Sequence, residues 1–293
     1  MKGRTRIAPT PSGYLHLGNL FSFVNTWLLA HEWELELLLR IDDMDQARLR
    51  MSYLDDIFRT LESLGLDYDI GPSGPGDFLE NWSQRKRKSQ YDDIIECLKN
   101  KGKLYPCACS RKELSTHKRS EHFSQNCWSK KHSFAAKGQK WRLHYQGESV
   151  HILNGQGESE ESQLANEVWD FAVRRKNGDP AYQLCSFSDD LHFGISHIVR
   201  GEDLRYSSFA QAYLGEVLGE KSFRKMRFYH HSLVKYEGEK LSKSQSAPAA
   251  KYYLGGRSNK ERVLNFIAAE LGLKGSFSVL ADLQEAYLEG RDS

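Results

Sequence analysis

The feature that most limits what this chain can fold into is a mostly apolar run from Leu35 to Ile41, centred on Leu37, Leu38 and Leu39. Helical spacing lies on both sides of it. Leu20, Val24, Trp27 and Leu28 precede it, and Leu54, Ile57, Phe58, Leu61 and Leu64 follow it, each set on one helical face. A strand apolar on both faces has to be covered on both, as in a parallel sheet clothed by helices. Arg4-Thr5-Arg6-Ile7-Ala8 reads as a second short strand stopped by Pro9, with a turn at Pro11-Ser12-Gly13 leading into the first helix. Beyond a loop rich in Gly and Pro, from Gly71 to Gly76, Ser83 is predicted to cap another helix holding Tyr91, Ile94, Ile95 and Leu98 inside. Strand alternating with helix predicts an α/β core with a parallel sheet.

That rhythm stops between about residues 102 and 165 and returns at Val168 to Val173. It continues at Gly194 to Arg200 and in a helix through Phe209, Tyr213 and Val217, and the tail from Ser258 to Leu288 reads as helical. Four segments follow: 1–101 and 166–235 as the two halves of a catalytic core, 102–165 as an insertion, and 236–293 as a loop with a short helical tail. Charge marks the insertion as well. Residues 101–140 hold ten Lys/Arg against Glu113 and Glu121, whereas 146–170 hold six acids and no Lys or Arg. A basic segment of this kind suits a polyanion such as nucleic acid, and equally a merely solvated loop.

At 293 residues with 39% hydrophobic content, the chain can bury a large core. No run reaches the length of a membrane span, and Met1-Lys2-Gly3-Arg4 leads directly into polar sequence, so no membrane and a cytoplasmic location are the expectations. Five cysteines, Cys97, Cys107, Cys109, Cys127 and Cys185, are too few and too odd for a disulfide framework and raise the question of a metal. Cys97 and Cys185 stand outside any motif and are expected in the core.

Two short motifs carry chemistry. His16-Leu17-Gly18-Asn19 lies between a strand and a helix, where free helix N–H groups point at anions. Gly18 admits a ligand close to the backbone, and His16 can donate to a phosphate. Lys240-Leu241-Ser242-Lys243-Ser244 places two mobile ammonium groups, Lys240 and Lys243, where they can meet a triphosphate. Either motif alone is weak, since histidines after turns and Lys/Ser surface loops are common.

Together and in this order the two resemble the HIGH and KMSKS signatures of class I aminoacyl-tRNA synthetases. Further blocks resemble the glutamyl branch: Arg6-Ile7-Ala8-Pro9-Thr10-Pro11-Ser12-Gly13, Arg40-Ile41-Asp42-Asp43-Met44-Asp45, Ala181-Tyr182, Asp189-Asp190 and Ile198-Val199-Arg200-Gly201-Glu202-Asp203. The resemblance spans about residues 4–250. It implies a Rossmann-type catalytic core carrying an inserted acceptor or zinc-type subdomain. It implies ATP with Mg²⁺ at His16, Gly18, Asn19, Lys240, Ser242 and Lys243, with His16, Lys240 and Lys243 acting in catalysis. For glutamate it implies Arg6, Thr10, Asp42, Tyr182 and Arg200, with Arg200 on the side-chain carboxylate and Asp42 on the amino group. Thr10 stands where the family often has Ser. Asp42 departs from the Glu usual in glutamyl enzymes and resembles glutaminyl ones, while Arg200 favours glutamate because a neutral amide offers a buried guanidinium no counter-charge.

Only about 40 residues follow the second motif and its flank, so an anticodon-binding domain is expected to be absent. A stand-alone catalytic half resembles the glutamyl-queuosine tRNA(Asp) synthetases, which implies transfer of activated glutamate to the queuosine base at the wobble position of tRNA(Asp). The readings left open are a truncated glutamyl or glutaminyl synthetase charging the terminal adenosine, a small-molecule nucleotidyltransferase, and a silent tRNA-binding paralogue. The family's zinc site has the form Cys-x-Cys, then Tyr-x-x-x-Cys. Cys107, Cys109 and Cys127 fit it, but Phe123 occupies the Tyr position, leaving His122 or His117 as the fourth ligand. The alternative is three free thiols without metal.

Overall fold

A computed structural model describes residues 2–110, 113, 127–236, 239–240 and 257–290. Along the chain run β1 (Arg4–Ile7), α1 (Leu17–Glu32), β2 (Glu36–Leu39), α2 (Met51–Leu64), α3 (Lys88–Asn100), β3 (Leu104–Cys107), β4 (Lys140–Leu143), β5 (Val150–Asn154), β6 (Ser159–Ser162) and β7 (Ala172–Arg174). They are followed by α4 (Tyr182–His192), β8 (His197–Gly201), α5 (Arg205–Leu218), β9 (Arg227–His231), β10 (Lys235–Tyr236), β11 (Glu239–Lys240), α6 (Arg257–Glu270) and α7 (Leu280–Glu289). The chain divides into two compact units. One comprises residues 1–83, 199–202 and 231–293, and the other 84–198 and 203–230.

In the first unit β1 and β2 pair in parallel, with Arg4 opposite Glu36 and Ile7 opposite Leu39. The apolar run supplies the buried strand, Leu37, Leu38 and Leu39 being at most 3% exposed. Leu20, Val24 and Leu28 of α1 and Leu54, Ile57, Leu61 and Leu64 of α2 enter the same core, each set at helical spacing. The tail helices close it through Val263, Leu264 and Ile267 of α6 and Leu280, Leu283 and Tyr287 of α7, while Tyr287 Oη donates to Glu32 Oε2 at 2.9 Å. Helix α2 stops at Gly65, whose φ of 79° is left-handed, and both Gly65 and Leu66 donate back to Leu61 O.

In the second unit β3, β4 and β7 form an antiparallel sheet, and β6, β5 and β9 lie side by side in that order, with β5 parallel to β9 and antiparallel to β6. Asp170 adopts a φ of 45°, a conformation Asp tolerates, and is fully buried. Its carboxylate accepts from Tyr105 Oη at 2.5 Å and from the Tyr145 backbone N–H at 2.7 Å, and Tyr213 Oη donates to His144 O nearby. Thus one of the six acids of the segregated segment is an internal tie, and Glu160 of that segment pairs with Arg205. No helix among the described residues is long and apolar enough to cross a membrane.

Three expectations need correction. Ser83 does not cap α3: a 3-10 turn at Gln84–Arg87 precedes that helix, and Ser83 Oγ donates instead to Asp43 Oδ2 at 2.6 Å. Cys97 is exposed, because Tyr91, Ile95 and Leu98 define the inner face of α3 and Cys97 lies two residues, roughly 200° of helical turn, beyond Ile95. Cys185 is buried as expected. The stretch 102–165 itself holds strands β3 to β6, and the next strand begins at Ala172 rather than Val168, since residues 165–169 form turns that lead up to the left-handed Asp170.

Candidate active site

In the first unit, the hydrogen-bonded strand pair continues past β1 and β2. Arg40 N donates to Ile7 O at 2.9 Å, and Asp42 N donates to Pro9 O at 2.8 Å. This brings Asp42 beside Thr10 at the carboxyl ends of two parallel strands, where open α/β sheets bind ligands. The chain then turns, with Ser12 N donating to Thr10 O. The Leu15 N–H is held by Asp56 Oδ2 of α2 at 2.9 Å, which fixes where α1 begins.

His16 is the N-cap of α1, Gly18 lies in the first turn and Asn19 is the third helical residue. Asn19 Oδ1 accepts from the His16 N–H at 3.0 Å, so the side chain named for ATP also holds the helix start together. The first turn contains no acid. The positive end of the helix dipole therefore meets no carboxylate of its own there and favours an anionic ligand.

Arg6 and Arg200 are both buried, 5% and 4% exposed, and Arg6 Nη1 donates to Val199 O at 3.2 Å, next to Arg200 in β8. A buried guanidinium is a bidentate partner for a carboxylate. Asp42 is also buried, and its carboxylate is gripped by Arg40, Nε to Oδ1 at 2.8 Å and Nη2 to Oδ2 at 3.1 Å. The sequence reading assigned Arg40 no role. The available signal was the Arg-x-Asp spacing on extended chain, which puts both side chains on one face. A second histidine near α1 was also missed: His231 packs edge-on against Phe21, its Nδ1 donates to Ser232 O, and its Nε2 therefore accepts from Ser22 Oγ.

In the second unit, Tyr182 is the first residue of α4 and is 39% exposed. Seven residues later the same helix carries Asp189, fully buried. Arg87 binds it with Nε to Oδ1 at 2.8 Å and Nη2 to Oδ2 at 3.0 Å, Tyr91 Oη donates at 2.6 Å and Gln84 Nε2 at 2.9 Å. Burial raises the Tyr91 phenol and the Asp189 charge raises it further, so it stays a donor. For Arg87 burial pulls downward, and hydrogen bonding and charge attraction from Asp189 more than offset that.

The cysteines expected at a metal come together. The Sγ atoms of Cys107, Cys109 and Cys127 all lie within 4.8 Å of one another, with Cys109–Cys127 at 3.0 Å and Cys107–Cys127 at 3.6 Å. Tetrahedral zinc with Zn–S bonds of about 2.3 Å needs S–S separations of about 3.7 Å; Cys107–Cys127 matches that, Cys109–Cys127 is shorter, and three thiols are a donor set that suits zinc. Tyr105 closes this cluster on its inner side, with Trp128 and Trp169 packed against it. The hydrogen bond shared with Cys127 holds the Cys107 thiol down at about 4 against its burial, and Arg142 adds to the effect. The same hydrogen bond and burial push Cys127 up. His117, His122 and Phe123 lie outside the described residues, as do Ser242 and Lys243. Lys240 is the second residue of β11, which pairs with β10.

The family model for tRNA synthetases class I (E and Q), catalytic domain, matches residues 2–276. A protein of Burkholderia cenocepacia named glutamyl-Q tRNA(Asp) synthetase is 34% identical over 280 residues, covering 92% of this chain and 88% of its own. A protein of the same name from Ectopseudomonas mendocina is 36% identical over 246 residues, covering 83% and 78%. Among solved structures, the glutamate-tRNA synthetase of Elizabethkingia anophelis superposes with a TM-score of 0.72 at 20% identity, a likeness of fold. That match covers 97% of this chain, which spans 65% of the other.

Proposed function

The chain belongs to the class I tRNA synthetase family of the glutamate and glutamine type and is a ligase, and from that premise we propose that it activates glutamate with ATP and transfers it to the queuosine base at the wobble position of tRNA(Asp). The observation that carries the glutamate half is the pair Arg6 and Arg200, two buried guanidinium groups, with Arg6 bonded to the carbonyl of the residue before Arg200. The relatives named for glutamyl-Q tRNA(Asp) support the acceptor half.

ATP with Mg²⁺ lies with its phosphates at His16, the α1 N-terminus, Lys240 and Lys243. An α-carboxylate oxygen of glutamate attacks the α-phosphorus, pyrophosphate leaves, and a hydroxyl of the RNA then attacks the carbonyl carbon and expels AMP. Arg200 and Arg6 hold the carboxylates and Asp42 the ammonium, with Thr10 beside it. No protein nucleophile takes part; positioning and charge stabilisation carry the step.

ATP–pyrophosphate exchange tests the first half, with glutamate, glutamine and aspartate supplied singly, with and without tRNA. Exchange with glutamate alone is expected, and silence under every condition overturns the activity. Glutamate should then load queuosine-containing tRNA(Asp) from which the terminal adenosine has been trimmed. Loading that needs the terminal adenosine, or that ignores queuosine, overturns the acceptor.

Cys107, Cys109 and Cys127 are proposed to hold a structural zinc ion with His122 or His117 as fourth ligand, tying β3 to the chain around Cys127. Protein purified with zinc available should carry it in equimolar amount by elemental analysis, and Cys127→Ser should lose it and melt at lower temperature. Zinc-free wild type, or a variant that retains the metal, would leave the three-thiol reading.

A further inference from the structure

Arg40 and Asp42 stand two residues apart just beyond β2, and both backbone N–H groups are tied to the extension of β1, at Ile7 O and Pro9 O. Extended chain of this kind turns alternate residues to one face, so the two side chains meet over Ile41. Their contact is bidentate, 2.8 and 3.1 Å, with the side chains 2% and 8% exposed. An aspartate has two freely turning side-chain torsions, and a single hydrogen bond would leave its carboxylate plane loose. A guanidinium fork on both oxygens fixes that plane. It also supplies the opposite charge that keeps a buried carboxylate ionised, the state needed to accept from an ammonium group.

We propose that Arg40 is a positioning residue that orients and charges Asp42 for the α-ammonium group of the amino-acid substrate. Arg40 itself makes no contact with substrate. The inference rests on the glutamate reading of the site and goes beyond it by dividing the pocket. Arg6 and Arg200 respond to carboxylates, whereas the Arg40–Asp42 pair responds to the amino group alone.

A pair of ligands separates the two. Glutarate has both carboxylates of glutamate and no amino group. Binding of each to the full chain is measured by calorimetry for wild type, Arg40→Gln and Arg40→Lys, alongside thermal melts and the KM for ATP. In Arg40→Gln, glutamate affinity should fall roughly ten- to a hundredfold, as loss of a charge-assisted contact does, while glutarate stays within about twofold and the KM for ATP is unchanged. Arg40→Lys keeps the charge without the fork, so it should fold at least as well and fall between the two. Equal weakening of glutamate and glutarate in the Lys variant would make Arg40 a general support of the fold and overturn the assignment. Unchanged glutamate affinity in a folded variant would overturn it too. If wild type bound neither ligand, the glutamate reading itself would fall and this inference with it.

Discussion

His16→Ala and Lys243→Ala are each expected to lower ATP–pyrophosphate exchange by roughly a hundredfold or more, with the far-ultraviolet spectrum unchanged. During adenylate formation negative charge grows on the phosphate oxygens, and the groups meeting it are fixed before the reaction. His16 sits at the N-cap of α1, immediately ahead of a first turn with no acid to compete for the incoming anion. Lys243 belongs to the Lys240–Ser244 motif that the family resemblance assigns to the triphosphate. Removing one preorganised donor of this type costs about 3 kcal/mol of transition-state stabilisation. The His16 side chain also enters a capping box with Asn19, so alanine there costs the helix about 1 kcal/mol, well short of unfolding it. The Asn19 Oδ1 bond goes to the His16 backbone N–H, which alanine retains. Exchange assays at saturating glutamate and ATP read the effect on the chemical step. Near-normal exchange in both variants would remove the nucleotide from this end of the molecule.

Much of the first unit was readable because its signals are local. The apolar run Leu35 to Ile41 and the spacing of Leu54, Ile57, Leu61 and Leu64 each depend on a few consecutive turns of chain, and the structure returns them as β2 and α2. The three cysteines were likewise found through a short motif, and their sulfurs do converge. What escaped is long-range or conformational. Ser83 looked like a helix cap because serine before an apolar helix usually is one, yet its hydroxyl serves Asp43, forty residues earlier in the chain. Asp170 looked like one more solvated acid in an acidic stretch, and nothing local says that Tyr105 reaches it. Arg40 was visible as a letter in a motif, but the bidentate grip on Asp42 needs the strand register that β1 imposes on β2. Asp189 was visible only as part of a motif too, since its donors Gln84, Arg87 and Tyr91 stand about a hundred residues away.

That Asp189 cluster carries the largest expected effect on stability. Asp189→Ala should destabilise the fold by about 3–5 kcal/mol, because it strands a buried guanidinium rather than merely deleting a contact. Four hydrogen bonds converge on one fully buried carboxylate, two from Arg87 and one each from Tyr91 and Gln84. Arg87 is itself only 6% exposed, so water cannot replace the lost partner without opening the packing between α3 and α4. The Phe193 ring lies 4.9 Å from the guanidinium carbon. A cation over an exposed ring is worth about 0.5–1 kcal/mol, too little to stand in for a carboxylate. With about 2–4 °C lost per kcal/mol in a chain of this size, the midpoint of thermal unfolding should fall by roughly 10 °C. The double variant Arg87→Met with Asp189→Leu separates the two contributions. Replacing the whole ion pair with apolar side chains of similar volume removes the stranded charge, and should recover most of the loss even though more hydrogen bonds are gone. A double variant as unstable as Asp189→Ala would place the stabilisation in the hydrogen bonds to Tyr91 and Gln84 instead. A drop of under about 2 °C for Asp189→Ala would mean that the unit opens to water at little cost there.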